Sequence, residues 1–198
     1  MIDLNKDYWS SKYEASDTGW DTGGITTPLK TYFNQLTDKS LQILIPGCGN
    51  GYEAEYLHNM GFNVTVLDLS EHPLQNLKKR CPTFPSGSLI QGDFFNPTAL
   101  EFKGKFDLII EQTFFCALNP NLRNDYAKQI HRLLKPNGKL IGLLFNIELY
   151  HDHPPFGGSK ELYKPIFEPY FEFKVFEEAY NSIAPRKGNE LFINLVKK

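Results

Sequence analysis

Short apolar runs alternate with amphipathic segments along most of the chain, and this alternation constrains the fold more than any other feature. The pattern predicts strands at residues 41–45, 63–68, 89–93, 106–112 and 139–145. It predicts helices at residues 51–60, from residue 70 to about 80 and from residue 119 to about 135. Because strand–helix–strand units join parallel strands through right-handed crossovers, we expect an α/β fold built on a parallel sheet.

The two ends of the chain depart from this alternation. After a loop at residues 148–158, a helix at 160–170 precedes two adjacent strands at 171–180 and 190–196. We expect these strands to close one edge of the sheet. At the other end, helices at residues 3–12 and 27–36 flank a glycine-rich segment, residues 17–24. Residues 1–40 therefore form a segment of their own in front of the sheet.

Composition and charge exclude several classes of protein. A chain of 198 residues can bury a full core, so we expect residues 1–198 to form a single domain. The formal net charge of −2 argues against a nucleic-acid partner, and no apolar run reaches the length of a membrane span. Three widely spaced cysteines indicate neither a disulfide framework nor a zinc site. With the polar N-terminus, these features predict a cytoplasmic monomer or weak homodimer without a metal ion.

Three glycines follow the first predicted strand, within the sequence Ile45-Pro46-Gly47-Cys48-Gly49-Asn50-Gly51. Glycine lets the backbone turn sharply and lets a ligand approach closely, and such loops bind ligands in open α/β sheets. The spacing is G-x-G-x-G, whereas the dinucleotide fingerprint needs a further glycine where Tyr52 stands, and no P-loop sequence is present. The alternative is a tight strand–helix turn without a ligand.

Two carboxylates stand at the ends of the second and third predicted strands. Asp68 can accept both ribose hydroxyls of an adenosine, since a charged group that closes an apolar strand needs a partner or solvent. Asp93 offers a carboxylate to the adenine amino group, beside the apolar wall of Phe94. The alternatives are a helix N-cap for Asp68 and an Asx-turn for Asp93.

Short motifs are spread over nearly the whole chain. They are W-D-T-G at residues 20–23, T-P-L at 27–29, P-G-C-G at 46–49 and L-D-L-S at 67–70. Further along they are F-D-L-I at 106–109, F-F-C-A-L at 114–118, L-K-P-N-G at 134–138, P-P-F at 154–156 and P-R-K-G at 185–188. This set resembles the class I S-adenosylmethionine-dependent methyltransferases. In particular it is similar to the thiol, thiocyanate and halide methyltransferase branch of the thiopurine methyltransferase superfamily.

The resemblance implies a fold, a cofactor and a set of binding residues. The fold is the Rossmann-like class I methyltransferase fold, a seven-stranded, mostly parallel sheet with an antiparallel edge strand and an N-terminal helical lid in residues 1–40. The implied cofactor is S-adenosyl-L-methionine. The residues implied to bind it are Trp9, Tyr13, Trp20, Gly47, Gly49, Asp68, Asp93, Phe94 and Gln112. Two of them depart from the family pattern, because Tyr13 replaces a frequent Trp and Gln112 replaces the usual Tyr or Arg.

Phenylalanines are expected around a small-molecule methyl acceptor. Phe114, Phe115, Phe145 and Phe156 either form an apolar wall for a soft anion, such as a thiolate, bisulfide, thiocyanate or iodide, or pack in the core. Gln112, Phe145 and Phe156 are the residues expected to position the acceptor. Phe145 stands where the halide-type branch tends to have a Tyr, so a hydroxyl is lost there.

One loop offers candidate bases. His151, Asp152 and His153 follow the fifth predicted strand and can deprotonate a thiol, although a solvated turn is the favoured alternative. No third ligand accompanies the two histidines, so we expect no metal site. Cys116 is not expected to act as a covalent nucleophile, because direct displacement at a sulfonium needs none.

Three functions remain open at this point. The favoured function is methyl transfer to a sulfur or halide acceptor, a thiopurine included. The second is methyl transfer to an oxygen or nitrogen acceptor. The third is a module that binds S-adenosylmethionine without catalysis, against which the retention of Asp68 and of the N-terminal aromatic residues argues.

Overall fold

Seven strands form one mixed sheet in the computed structural model, which describes residues 2–96 and 103–198. The strands are β1 (Gln42–Pro46), β2 (Asn63–Asp68), β3 (Leu89–Gln91), β4 (Phe106–Gln112), β5 (Leu134–Phe145), β6 (Phe171–Glu178) and β7 (Glu190–Lys197). Their spatial order is β3-β2-β1-β4-β5-β7-β6. Strands β1 to β5 pair in parallel, and β7 pairs antiparallel with both β5 and β6. The expected α/β class and the mostly parallel sheet with an antiparallel edge are confirmed.

The strand order reverses between β1 and β4. From β1 the chain proceeds outward to β2 and β3, and then returns to β4 on the other side of β1. Ligands bind at such a switch point in open α/β sheets, beyond the carboxyl ends of the strands. The register pairs Ile43 with Leu108, so β1 and β4 run side by side toward the same edge. The loops that follow these two strands therefore meet.

Helices pack on both faces of this sheet. The α-helices of the described residues are α1 (Lys6–Glu14), α2 (Thr27–Phe33), α3 (Tyr52–Asn59), α4 (Glu71–Arg80), α5 (Arg123–Leu133) and α6 (Lys160–Phe167). Asn5 caps α1, since its side chain accepts a hydrogen bond from the Tyr8 amide at 3.0 Å. Among residues 2–96 and 103–198, no helix combines the length and the apolar character needed to cross a bilayer.

The end of α5 differs from the prediction. The helix ends at Leu133 instead of continuing to about Lys135. Leu134 has extended backbone, and Lys135 precedes Pro136, a position that disfavours helical backbone. Strand β5 consequently begins at once, and it is longer than predicted. The other elements differ from the predicted ranges by a few residues at their ends, where helices and strands fray.

Strands β4 and β5 approach each other closely in the middle of the sheet. Leu108 and Ile110 of β4 pack with α3 and α4 on one face, while Ile109 packs with α5 and α6 on the other. Gly142 of β5 lies beside the Glu111 backbone, where an added Cβ would stand 2.3 Å from the Glu111 carbonyl oxygen. A side chain at this position would push the two strands apart.

We predict that Gly142→Ala destabilises the protein. Overpacking of this kind costs about 1–3 kcal/mol of unfolding free energy, since the clash is with backbone that has no free space to move into. Urea denaturation measures the change. The matched control is Gly87→Ala, because an added Cβ there has no atom within 4 Å. Equal losses in the two variants would contradict the close approach of β4 and β5.

Candidate active site

A large cavity opens at the carboxyl ends of the parallel strands. Its volume is about 1030 Å³. Its walls come from the N-terminal segment, the glycine loop after β1, the ends of β2 and β3, the loop after β4 and the loop after β5. Cavities for drug-sized ligands measure roughly 300–1,000 Å³, so this one has room for a nucleoside cofactor and a small acceptor together.

The glycine loop has backbone conformations that residues with side chains rarely adopt. The φ angle is +56° at Gly47, +52° at Gly49 and +69° at Gly51. An added Cβ at Gly47 would lie 2.2 Å from the ring of Phe114, which follows β4. Gly47 and Gly49 both line the cavity. The loop is therefore a tight strand–helix turn. Because it also exposes backbone to the cavity, the turn does not exclude a ligand.

Asp68 joins the glycine loop to the start of α4. Its Oδ2 accepts a hydrogen bond from the Gly49 amide at 3.0 Å, and its Oδ1 accepts one from the Ser70 amide at 3.0 Å. Burial raises the pKa of the Asp68 carboxyl to about 6, and these bonds oppose that shift. Ser70, whose Oγ accepts from the His72 amide, is the cap of α4, so an N-cap role for Asp68 is wrong. Asp68 lines the cavity, and its carboxylate can accept a further hydrogen bond from a ligand.

Asp93 and Phe94 follow β3 at the edge of the cavity. Asp93 Oδ1 accepts a hydrogen bond from the Phe95 amide at 2.9 Å, so the Asx-turn predicted as the alternative is present. Phe94 is 3% exposed, and its ring meets that of Phe114 edge to face at a centroid distance of 5.3 Å. Because Asp93 and Phe94 also line the cavity, the turn and a contact with an adenine are compatible.

Three aromatic side chains of the N-terminal segment pack together above the glycine loop. The Trp20 ring meets those of Trp9 and Tyr13 edge to face, at centroid distances of 5.6 and 5.8 Å. The Tyr13 hydroxyl would lie 3.5 Å from a Cβ added at Gly49. Burial, and next the charge of Asp68, raise the pKa of the Tyr13 hydroxyl. All three aromatic residues line the cavity, which is the placement that contact with a cofactor requires.

Polar contacts attach this segment to the rest of the structure. Asp21 Oδ2 accepts hydrogen bonds from the Asn50 side-chain amide and, at 3.3 Å, from the Tyr52 hydroxyl. Ser10 Oγ lies 3.1 Å from Ser70 Oγ, which connects α1 with the start of α4. The segment therefore closes one side of the cavity in this conformation.

The opposite side of the cavity, near the ends of β4 and β5, is largely apolar. Phe114 and Phe145 line it, together with Pro154 and Pro155 of the loop after β5. The predicted aromatic wall is therefore present in part. Phe115 does not line this cavity, since its ring is 1% exposed and packs in the core against α5 and α6.

Two residues expected to position the acceptor lie elsewhere, and this corrects the prediction. Phe156 is 2% exposed and is not part of the cavity wall, because its amide donates to the Cys116 carbonyl at 2.7 Å and its ring is buried. Gln112 alternates with Glu111 along β4, so its side chain is on the face of Leu108 and Ile110 and not in the wall. Among the described residues, its Oε1 has no hydrogen-bond partner.

The candidate base loop is a solvated turn. The side chains of His151 and Asp152 are 82% and 83% exposed, that of His153 is 38% exposed, and none of the three lines the cavity. Within the part of the chain that is described, no group of three or more His, Cys, Asp or Glu side chains can hold a metal ion. Burial raises the pKa of the Cys116 thiol to about 12, which makes it a poor nucleophile.

Arg186 lines the cavity, and the sequence reasoning did not assign it to the site. Its Nη2 donates to the Trp20 carbonyl at 2.8 Å, and its Nη1 lies 3.3 Å from Glu190 Oε1. The guanidinium carbon stands 5.3 Å from the centroid of the Phe145 ring. Arg186 thus forms an ion pair with the buried Glu190 and connects the cavity wall at the ends of β4 and β5, called the acceptor side below, with the N-terminal segment. In the sequence, Arg186 is marked by the P-R-K-G motif at residues 185–188, which contributes to the family resemblance but does not place the side chain at the cavity.

The architecture is shared with solved methyltransferases. The structure of Burkholderia thailandensis 1,6-didemethyltoxoflavin-N1-methyltransferase superposes with a TM-score of 0.74 at 18% identity, over 98% of this chain and 87% of that chain. A glycine turn after β1, a carboxylate at the end of β2 and a cavity at the switch point complete the layout. The chain therefore has the Rossmann-like fold of the class I methyltransferases.

Sequence comparisons make the assignment more specific. Residues 4–195 match the family described as Thiopurine S-methyltransferase, and the chain belongs to this family. It is 33% identical to "Probable thiol methyltransferase 2" of Arabidopsis thaliana over 186 residues, which cover 92% of this chain and 81% of that protein. It is also 33% identical to "Thiocyanate methyltransferase 1" of Brassica oleracea over 187 residues, with the same coverage of 92% and 81%. The protein is an S-adenosylmethionine-dependent methyltransferase.

We predict that Asp68→Asn weakens the binding of S-adenosylhomocysteine by about 1–3 kcal/mol, because the amide removes the charge and one acceptor oxygen from the cavity wall. Titration calorimetry measures the dissociation constant. The control is Asp125→Asn, an exposed position in the first turn of α5, which should bind as the parent does. Unchanged affinity in the Asp68 variant, or tight binding of NAD to the parent, would contradict the cofactor site.

Proposed function

We propose that this enzyme transfers the methyl group of S-adenosylmethionine to a soft nucleophile, with thiols ranked ahead of bisulfide, thiocyanate and iodide. The observation that supports this most is the apolar wall of the acceptor side, which Phe114, Phe145, Pro154 and Pro155 form beside the guanidinium of Arg186, itself paired with Glu190. A polarisable sulfur or iodide tolerates apolar surroundings, whereas a hard oxyanion needs several hydrogen-bond donors. The names of the relatives support the same class of acceptor, and a thiopurine belongs to it.

The described residues fit the cofactor. Asp68 would hold the ribose hydroxyls, Asp93 and Phe94 would hold the adenine, and the backbone of Gly47 and Gly49 would allow the methionine end to approach. The bound cofactor supplies a methyl group on a sulfonium, which is a good leaving group. The chain therefore has mainly to position the two reactants and to exclude water.

The N-terminal segment is proposed to cover the bound cofactor. Trp9, Tyr13 and Trp20 line the cavity beside the glycine loop, and the Arg186 hydrogen bond to the Trp20 carbonyl links this cover to the acceptor side. Gly23, with a φ angle of +69°, follows these three aromatic residues and would act as the hinge of the cover. Closure would then exclude water from both reactants at once.

We also propose that residues 1–198 work as one domain, as a monomer or weak homodimer in the cytoplasm. Cys48, Cys81 and Cys116 are all buried and free, which suits a reducing compartment. The net charge of −2 and the concave cavity suit a small-molecule acceptor better than a nucleic acid.

We predict that S-adenosylhomocysteine protects the N-terminal segment from proteolysis. Cleavage between Tyr13 and Ile25 should slow when the ligand is added, because the aromatic residues gain contacts with it and the segment opens less often. Limited digestion with chymotrypsin, followed by mass spectrometry, measures the rate. NAD at the same concentration serves as the control and should give no protection. Equal cleavage rates with and without S-adenosylhomocysteine would count against a cover.

We predict that the enzyme methylates thiols, bisulfide, thiocyanate or iodide faster than catechols, carboxylates or amines. Phe145→Tyr should shift the preference toward small inorganic anions, because it adds a hydroxyl donor beside Arg186. Headspace and thioether product assays on both forms measure the ratio of thiocyanate to thiol turnover. Phe173→Tyr, on β6 and outside the cavity wall, is the control and should leave this ratio unchanged.

The acceptor panel separates the remaining alternatives. Efficient methylation of a phenol or an amine, with sulfur and halide acceptors at background, would overturn the soft-nucleophile proposal and leave the methyltransferase assignment standing. Binding of the cofactor without turnover of any acceptor would favour a non-catalytic module.

A further inference from the structure

A thiol acceptor has to lose a proton, and the cavity wall offers no base beside it. No histidine is found among the described residues that line the cavity. The carboxylates among them are Asp3, Asp17, Asp68 and Asp93. These four belong to the N-terminal segment or to the ends of β2 and β3, which form the cofactor side. The base loop after β5 is solvated and outside the wall, so the proton needs another acceptor.

A second, much smaller void lies behind the acceptor side. Its volume is about 10 Å³, which is close to the space that one water molecule needs. Thr113, Cys116, Phe145 and Arg186 line both this void and the large cavity, so the two spaces adjoin each other at these residues. Glu111 lines only the small void. A water at this position would have several polar partners, as buried waters require.

Glu111 is a buried carboxyl with capacity for one further hydrogen bond. Its Oε1 accepts from the amides of Phe114 and Phe115 at 2.8 and 2.9 Å, and its Oε2 accepts from the Tyr126 hydroxyl at 2.5 Å. A carboxylate has about four lone-pair sites, so one on Oε2 is not used by these contacts. The carboxyl is thus fixed immediately behind the loop that forms the acceptor wall.

We propose that Glu111 accepts the proton of a thiol acceptor through a water molecule in the small void. This inference rests on the proposed function. The S–H bond breaks, its proton passes to the water, and a proton of that water passes to Glu111. The electron pair left on the acceptor sulfur forms the new bond to the methyl carbon as the carbon–sulfonium bond breaks. S-adenosylhomocysteine and the methyl thioether result, and Glu111 returns its proton to solvent after they leave.

The surroundings of Glu111 suit a group that changes its protonation near neutral pH. Burial raises the pKa of the Glu111 carboxyl to about 7, while the bonds from Tyr126, Phe115 and Phe114 oppose that shift. The other titratable and charged groups around it are Cys116 in the loop after β4, Arg123 of α5, Tyr163 of α6, Arg186 before β7 and Glu190 of β7. Since an unperturbed Glu has a pKa of about 4.3, this environment makes Glu111 a much better proton acceptor than an exposed carboxylate.

The test compares an acceptor that carries a proton with one that does not. Glu111→Gln retains an oxygen for the Phe114 and Phe115 amides but removes the proton acceptor. At about pH 7, kcat for an aliphatic thiol should fall about 10-fold to 100-fold, while kcat for thiocyanate should stay within about twofold, because thiocyanate has no proton to lose. The deficit should disappear at about pH 10, where the thiol ionises in solution.

Glu53→Gln is the matched control. Glu53 is another buried carboxyl, 5% exposed, whose pKa burial raises to about 7, and it lines neither cavity. Its variant should turn over both acceptors as the parent does. Equal losses for thiol and thiocyanate in Glu111→Gln, or no loss for the thiol, would overturn the inference. An unmodified enzyme that methylates neither acceptor would instead overturn the proposed function.

Two further measurements serve if Glu111→Gln does not fold. Tyr126→Phe removes the hydroxyl that donates to Glu111, so the pKa of Glu111 should rise further and the pH midpoint of thiol turnover should move upward, with thiocyanate turnover unaffected. Infrared spectra of the unmodified enzyme should contain a buried carboxylic-acid band that titrates near neutral pH and whose midpoint shifts in Tyr126→Phe. An unchanged midpoint in both measurements would overturn the inference.

Discussion

The site depends on one buried carboxylate, Asp68, and on the two backbone amides that donate to it. Gly49 belongs to the loop after β1 and Ser70 to the start of α4, so a single side chain fixes two neighbouring segments at the carboxyl edge of the sheet. Hydrogen bonds to a charged group contribute about 1.5–3 kcal/mol each, which is more than neutral ones do. Losing the Asp68 carboxylate would therefore disturb the glycine loop as well as the proposed contact with a ribose.

Much of the fold followed from the sequence because the signals are local. Runs such as residues 106–112 are apolar over the length of a buried strand, and glycines or prolines mark the turns between them. The end of α5 is hard to predict because Asn137-Gly138 is a common helix terminus, whereas Pro136 disfavours helical backbone already at Lys135. The separation of α1 from α2 by a glycine-rich segment was equally local, and it was predicted correctly.

The acceptor side was harder to predict, because its residues come together only through the sheet order. Arg186 lies far along the chain from Phe145, and the antiparallel pairing of β7 with β5 brings the segment before β7 to the cavity. The family resemblance that implies Gln112, and the loop position that implies Phe156, do not show the side on which either side chain lies. A single-residue step along β4 separates Gln112 from Glu111, and this step decides which side chain reaches the neighbourhood of the acceptor.

Glu111 at the end of β4 has the same kind of environment as Asp68 at the end of β2. Each is a buried carboxyl that accepts two backbone amides at a cavity-lining loop, and burial raises the pKa of each above the ordinary value. The loop after β1 contacts the loop after β4 where Gly47 lies against the Phe114 ring. Because Gly47 has no Cβ, the two loops can approach closely, and this contact helps to position the cofactor side relative to the acceptor side. Asp68 lines the large cavity, whereas Glu111 borders only the small void. In our proposals, the same arrangement serves ligand binding at the end of β2 and proton transfer at the end of β4.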